Sequence, residues 1–221
     1  MSLFERLKAD AAREWASYVD HAFVRGLGDG SLPQAAFRSY LVQDYLFLIQ
    51  FARAYGLAVY KADRLSDMRA AAATLHAILD VEMDLHVRVC AGWGLEAADL
   101  EAAEEGDACV AYTRFVLDAG LRGDLLDLTV ALSPCVIGYA EIGGGLAAQG
   151  VAPNNPYRPW IEEYAGAAYQ DVAASARVTL DRLGADRLTP QRYRELKRLF
   201  VTASRLEAAF WQAALDDAAA D

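Results

Sequence analysis

LTVALSPCVIGYA, residues 128–140, is a run of thirteen residues without a charge, preceded by Asp124 and Asp127 and followed by Glu141. With Gly143, Gly144 and Gly145 beyond it, the run reads as a fully buried helix of ordinary length. Pro134 is out of place there. It has no amide hydrogen to give the carbonyl of Val130, and its ring crowds the preceding turn, which predicts a kink and a freed polar group. Cys135 follows the break directly. Tyr139 lies four residues on and on the same face, so thiol and phenol can line one cavity. A buried cysteine is also a common small hydrophobe, and Cys135 alone does not decide between the two readings.

Outward from this run the chain continues in helical periods. Ser2 and Glu5 form a capping box, and Leu3, Leu7, Ala11, Trp15 and Tyr18 recur at helical spacing as far as Phe23, predicting one helix that stops at GLGDG. A second capping box, Ser31 with Gln34 and Pro33 in the first turn, predicts a helix from Leu32 to about Lys61. A third helix runs from near Ser66 to the glycines around Trp93 and carries His76 and His86. Leu95 to Gly106 is acidic and alanine-rich, a short helix or loop. Asp107 opens a helix that closes at Gly120 and Gly123. After VAPNNPYRPW come a short helix around Ile161 and Tyr164, another from Ala167 to Leu183, and a last one capped by Thr189 with Pro190 in first place. No strand-like alternation bounded by hairpin turns occurs, so the fold class is all-α with seven or eight helices.

The 221 residues suffice for one well-buried domain, and no Pro-, Ser- or Gly-rich linker divides them. A net charge of −10 with 21 scattered Lys and Arg residues argues against a nucleic-acid partner. No apolar run approaches the length needed to span a bilayer, and the charged, amphipathic N-terminus MSLFERLKADAAREW is unlike a secretory signal. A cytoplasmic protein without membrane contact is expected. Cys90, Cys109 and Cys135 show no C-x-x-C spacing and fit reduced thiols, the first two structural.

Two carboxylates stand out. Asp44 is the single charge between Arg38 and Arg53 in a helix whose middle reads YLVQDYLFLIQFA. A buried carboxylate is costly unless paired or neutralised, so it is either bound to an arginine such as Arg53 or Arg205 or belongs to a site. Phe47 and Phe51 share its helix face and can stack on a flat ligand while the carboxylate takes a polar edge. Glu207, in RLEAAFW, sits either on a solvated face or, given Ala203, Phe200, Phe210 and Trp211 at helical spacing, on an inward turn. A di-iron site is not supported, because Glu-x-x-His occurs on neither of two helices and Glu82 and His86 are one residue too far apart. His21 is a haem-ligand candidate only in principle; at a helix end it reads as a capping or packing residue.

Taken together, Y-L-V-Q-D44-Y, Tyr112, S-P-C135-V-I-G-Y139-A-E-I-G, N-P-Y157-R-P-W160-I-E-E-Y164 and R-L-E207-A-A-F-W resemble the TenA (thiaminase II) family over essentially the whole chain. The resemblance implies an all-helical haem-oxygenase-like fold without haem or other cofactor, assembled as a homotetramer and acting in thiamin salvage. It implies hydrolysis of 4-amino-5-aminomethyl-2-methylpyrimidine to the hydroxymethyl pyrimidine, and in some members cleavage of thiamin. Carried over by position, Cys135 is the nucleophile, reacting as a thiolate. Asp44 and Glu207 are acid/base and pyrimidine-binding carboxylates. Tyr112, Tyr139 and Tyr164 are hydrogen-bonders, and Phe47 is an aromatic wall. Phe47 replaces a tyrosine found in some relatives, and Gly138 replaces a bulkier residue, which implies a roomier pocket. Two other readings stay open: an oxygen-using enzyme of the same fold, and a helical protein that binds a pyrimidine or a partner without turnover.

Overall fold

The computed structural model describes residues 1–185 and 187–220, with the side chains of residues 81 and 85 outside the description. Twelve α-helices and one π-helical turn make up the secondary structure of the described residues. They are α1 (Leu3–Asp10), α2 (Ala12–Val19), α3 (Ala22–Asp29), α4 (Gln34–Lys61), α5 (Leu65–Ala77), the π turn (Ile78–Glu82), α6 (Met83–Ala91), α7 (Ala97–Ala102), α8 (Asp107–Arg122), α9 (Leu125–Gln149), α10 (Arg158–Ala165), α11 (Ala167–Gly184) and α12 (Pro190–Ala220). The bundle is built on α9, against which α8, α10, α11 and α12 pack, while α4 packs against α5, α8 and α12.

The number exceeds the expected seven or eight because two long helices are broken and the acidic segment from Leu95 to Gly106 forms the short helix α7. The first helix is three: it is interrupted at Ala11 and again at Asp20, after which His21 caps α3 by accepting a hydrogen bond from the Phe23 amide. Helix α3 also runs through GLGDG to Asp29 instead of stopping there. The third helix is divided by the π turn, where the Met83 amide reaches back to the Ile78 carbonyl. The capping box expected at Ser31 is absent: Pro33 takes the cap position, and the Ser31 amide is bound by the Asp29 carboxylate at 2.8 Å. At the other end of the chain Thr189 does cap α12, its hydroxyl accepting from the Arg192 amide at 3.1 Å.

Helix α9 is longer than its uncharged run, extending through Gly143 to Gln149. Its N-terminus is fixed by Asp124, whose side chain accepts the amides of Leu126 and Asp127, while the Asp127 carboxylate returns to the Asp124 amide at 2.7 Å. Arg192 of α12 grips both carboxylates, at 2.9 and 2.6 Å. The helix continues across Pro134. The Val130 carbonyl that the proline deprives of a donor accepts the Ser133 hydroxyl at 2.8 Å instead, so the freed group is satisfied within the same turn. By length and composition α9 could cross a membrane, contrary to the expectation that no run approaches that length, but 83% of its apolar window is buried inside the bundle.

Two glycines of α9 permit close approaches. A β-carbon at Gly143 would stand 2.7 Å from the backbone of Tyr164, so this glycine lets α10 lie directly on α9. At Gly138 a β-carbon would overlap the ring of Tyr18, whose hydroxyl donates to the Pro134 carbonyl at 3.3 Å. The space left by Gly138 is therefore filled by a neighbouring helix, and the expectation that it enlarges a ligand pocket is corrected. Beneath α9 lies an aromatic layer in which Trp211 stacks on Phe23 at 4.7 Å and Trp15 on Phe200 at 5.5 Å. Helix α5, by contrast, has no fully buried residue, and only partly buried side chains such as Ala71 and Leu75 pack on the core.

Candidate active site

A cavity of about 380 Å³ opens between α4, α5, the π turn, α9, α10 and α11. Each wall brings a distinct chemistry. Helix α4 contributes Asp44, with Phe47, Phe51 and Tyr55 following along the same face. Helix α9 contributes Cys135 and, one turn on, Tyr139; the π turn contributes Glu82; α10 contributes Glu163 and Tyr164; and α11 contributes Tyr169. Among the described residues no lysine or arginine lines it. A larger hollow of about 560 Å³ lies alongside, bounded by Phe37, Trp93, Trp160 and His86 and sharing Glu163 and Tyr164, but no cysteine among the described residues lines it.

Of the residues singled out from the sequence, Asp44, Phe47, Cys135, Tyr139 and Tyr164 meet in this one cavity. Tyr112 and Glu207 stand a layer behind it. The Tyr112 hydroxyl donates to Glu207 Oε1 at 2.7 Å, and its ring packs on Phe47 with centroids 5.1 Å apart. Both are buried, Glu207 at 2% exposure, so the inward alternative for that glutamate is the observed one.

Asp44 is buried, but its partner is not an arginine. Arg53 bonds Gln50, and Arg205 bonds Glu14 on the surface. Instead His86 Nε2 lies 2.7 Å from Asp44 Oδ2, and the Tyr40 hydroxyl donates to the same oxygen at 3.2 Å. Tyr40 in turn accepts the indole N–H of Trp160 at 3.2 Å. His86, Glu82, Glu163 and Tyr169 were not among the expected site residues. The need of Asp44 for a partner was a usable signal, but nothing local identifies a histidine 42 positions away on a segment whose facing is reset by a π turn.

Burial governs the protonation of the site. It pushes the Glu207 carboxyl up to about 8, and Asp44 adds to this while the Tyr112 hydrogen bond opposes it. Burial likewise pushes Glu82 up to about 7, with the negative charge of Asp44 adding. The Cys135 thiol is raised well above its ordinary value, first by burial and then by Glu207, Asp44 and Glu82. Burial therefore favours the protonated thiol at rest, and a thiolate has to form as the group reacts. Burial also holds the hydroxyls of Tyr112, Tyr139 and Tyr164 neutral. The cavity brings a thiol together with carboxyl groups and phenols, a set suited to moving protons onto and off a small polar heterocycle. No group of three His, Cys, Asp or Glu side chains among the described residues is arranged to hold a metal ion.

Comparison with known proteins identifies the family to which the chain belongs. A solved structure from Silicibacter sp. TM1040, described as a TenA family transcription regulator, is similar with a TM-score of 0.91 and 44% identity over 96% of each chain. The aminopyrimidine aminohydrolase of Halalkalibacterium halodurans is 38% identical across 98% of this chain and 97% of its own. A domain from Shewanella denitrificans with a heme oxygenase-like fold, 14% identical over 98% of this chain and 93% of its own, shares the architecture at a TM-score of 0.75. The pattern of the TENA/THI-4/PQQC family spans residues 9–217, from the end of α1 almost to the end of α12, and the chain belongs to that family.

Proposed function

We propose that the protein is an aminopyrimidine aminohydrolase of the thiaminase II type, replacing the exocyclic amine of 4-amino-5-aminomethyl-2-methylpyrimidine by hydroxyl. The observation that carries this reading is the Cys135 thiol facing a cavity of about 380 Å³ shared with Asp44, Phe47, Tyr139 and Tyr164, with Glu207 and Tyr112 directly behind. The relative of the same length named for this activity supports it.

The protonation pattern suits covalent catalysis without a standing thiolate. Sulfur bonds to a ring carbon while the thiol proton passes, by way of the site carboxyls, to a ring nitrogen. Glu207, protonated at neutral pH, is the proton donor in this exchange, and Tyr112 holds it in place. Electron density gained by the ring expels the exocyclic amine, which takes up the ring proton and leaves as ammonia. Water then adds its oxygen to the methylene and a proton to the ring. Breaking the carbon–sulfur bond restores both the aromatic ring and the thiol, so the net change is amine plus water giving alcohol plus ammonia. Phe47 and Phe51, with centroids 5.4 Å apart, form a flat apolar wall for the ring.

The test is ammonia release from the aminomethyl pyrimidine by the purified protein, run beside Cys135→Ala and with thiamin as an alternative substrate. Release by the parent and loss of at least about a thousandfold in the variant is the expected result for removal of a covalent nucleophile. Equal rates in parent and variant would sink the thiol mechanism, and no release from a folded parent would sink the hydrolase.

A further inference from the structure

One buried titratable side chain touches the site without entering its cavity. His86 is 4% exposed, with Nδ1 2.9 Å from the backbone carbonyl of Glu82 and Nε2 2.7 Å from Asp44 Oδ2. A carbonyl can only accept, so Nδ1 carries a hydrogen. A ring protonated on Nε2 alone would set the Nδ1 lone pair against that carbonyl, and a ring protonated on Nδ1 alone would require Asp44 to hold the other proton. The donors around Asp44 argue against a protonated Asp44. Trp160 Nε1–H is given to the Tyr40 oxygen, which frees the Tyr40 hydrogen for Asp44 Oδ2, so the chain of donors ends on the carboxylate. Asp44 Oδ1 receives no hydrogen bond from the described residues, while Asp44 itself lines the cavity.

We propose that His86 is a positioning residue, an imidazolium braced on the Glu82 carbonyl that holds Asp44 as a charged acceptor with Oδ1 left for an N–H group of the ligand. The π turn is part of the device, because it supplies the accepting carbonyl and resets the register of the helix that follows, which carries His86. The titratable groups that face the ring are Asp44 and Tyr40 from α4, Glu82 from the π turn and Glu163 from α10. Burial disfavours its charge, but the hydrogen bond and negative charge of Asp44, then the bond to the Glu82 carbonyl, outweigh it and the histidine is raised above its ordinary value.

The decisive measurement is imidazole nitrogen NMR of the intact protein, which has three histidines. His86→Gln assigns the His86 signals by their disappearance. Both nitrogens in the protonated range at neutral pH, with a slowly exchanging Nδ1 hydrogen, is the expected outcome. A neutral ring with one bare nitrogen at pH 7 overturns the proposal. The kinetic arm rests on the hydrolase reading. His86→Ala should lose roughly 10- to 100-fold in kcat/KM, the range of one charge-assisted hydrogen bond, and His86→Gln, which keeps a donor without the charge, should recover part of it. A folded His86→Ala with the parent's kcat/KM overturns the positioning role. If the parent itself releases no ammonia, the hydrolase reading fails, and the NMR result alone judges the state of His86.

Discussion

At position 138 the difference between glycine and alanine is one methyl group, and there is no room for it. A β-carbon would overlap the Tyr18 ring, which is fully buried and held by its bond to the Pro134 carbonyl. Gly138→Ala should therefore destabilise the fold by about 1–3 kcal/mol, the usual cost of overfilling a packed interior, visible as a lowered thermal midpoint without a larger cavity. From sequence, Gly138 reads as space in the pocket, because the partner that fills the space is 120 residues away and nothing in its own neighbourhood names it. Asp44 was easier, since a lone charge in an apolar helix declares that something must meet it. What meets it was not legible. An arginine is the commonest answer, and a histidine on a register-shifted segment is found only with the fold in hand.

Helix boundaries follow the same logic one scale up. The apolar period runs unbroken across Ala11 and His21, so the sequence shows one helix where backbone geometry makes three. A π turn adds one residue per turn without any special residue type, and Ile78–Glu82 carries neither glycine nor proline to betray it. Hydroxyl caps at Ser2 and Thr189 were legible in the sequence, whereas the carboxylate cap of α9 emerges only with the fold. Asp124 and Asp127 close the start of α9 on each other and on Arg192, and Asp127 is almost fully buried there. Asp127→Ala should cost about 2–4 kcal/mol, because it removes a cap contact and leaves Arg192 with one partner fewer at a part-buried junction. Urea unfolding at neutral pH measures it, and a change below about 0.5 kcal/mol, the scatter of ordinary surface substitutions, would show that the clasp between α9 and α12 is not structural.

For the molecule as a whole, the carboxyls buried around the cavity make stability depend on pH. Glu207 is pushed up to about 8 by burial and Glu82 to about 7, against ordinary values of 4.5. Below pH 4.5 each is protonated folded or unfolded and nothing is lost. As pH rises the unfolded chain ionises first, and stability falls until the folded carboxyls ionise as well. Glu207→Gln keeps an oxygen for Tyr112 but cannot ionise. It should match the parent at pH 4 and exceed it by about 2–4 kcal/mol at pH 8, on the basis of 1.4 kcal/mol per tenfold change in proton affinity. Parallel unfolding curves at the two pH values would refute this if the difference were the same at both. A protein with this trade keeps its buried carboxyls at the expense of its own stability at neutral pH. The walls of the cavity are also unequal. Ala73, Thr74 and Ala77 belong to α5, a helix with no fully buried residue, whereas Cys135 and Tyr139 belong to α9, most of whose residues are buried. Reactive groups are thus mounted on the rigid side and solvent is kept out by the soft one. Amide hydrogens of residues 70–77 should exchange with deuterium well ahead of those of 128–142, and a bound pyrimidine should slow the former while leaving the latter unchanged. If α5 does exchange first, local opening of the cavity need not disturb the deeply packed framework of α9.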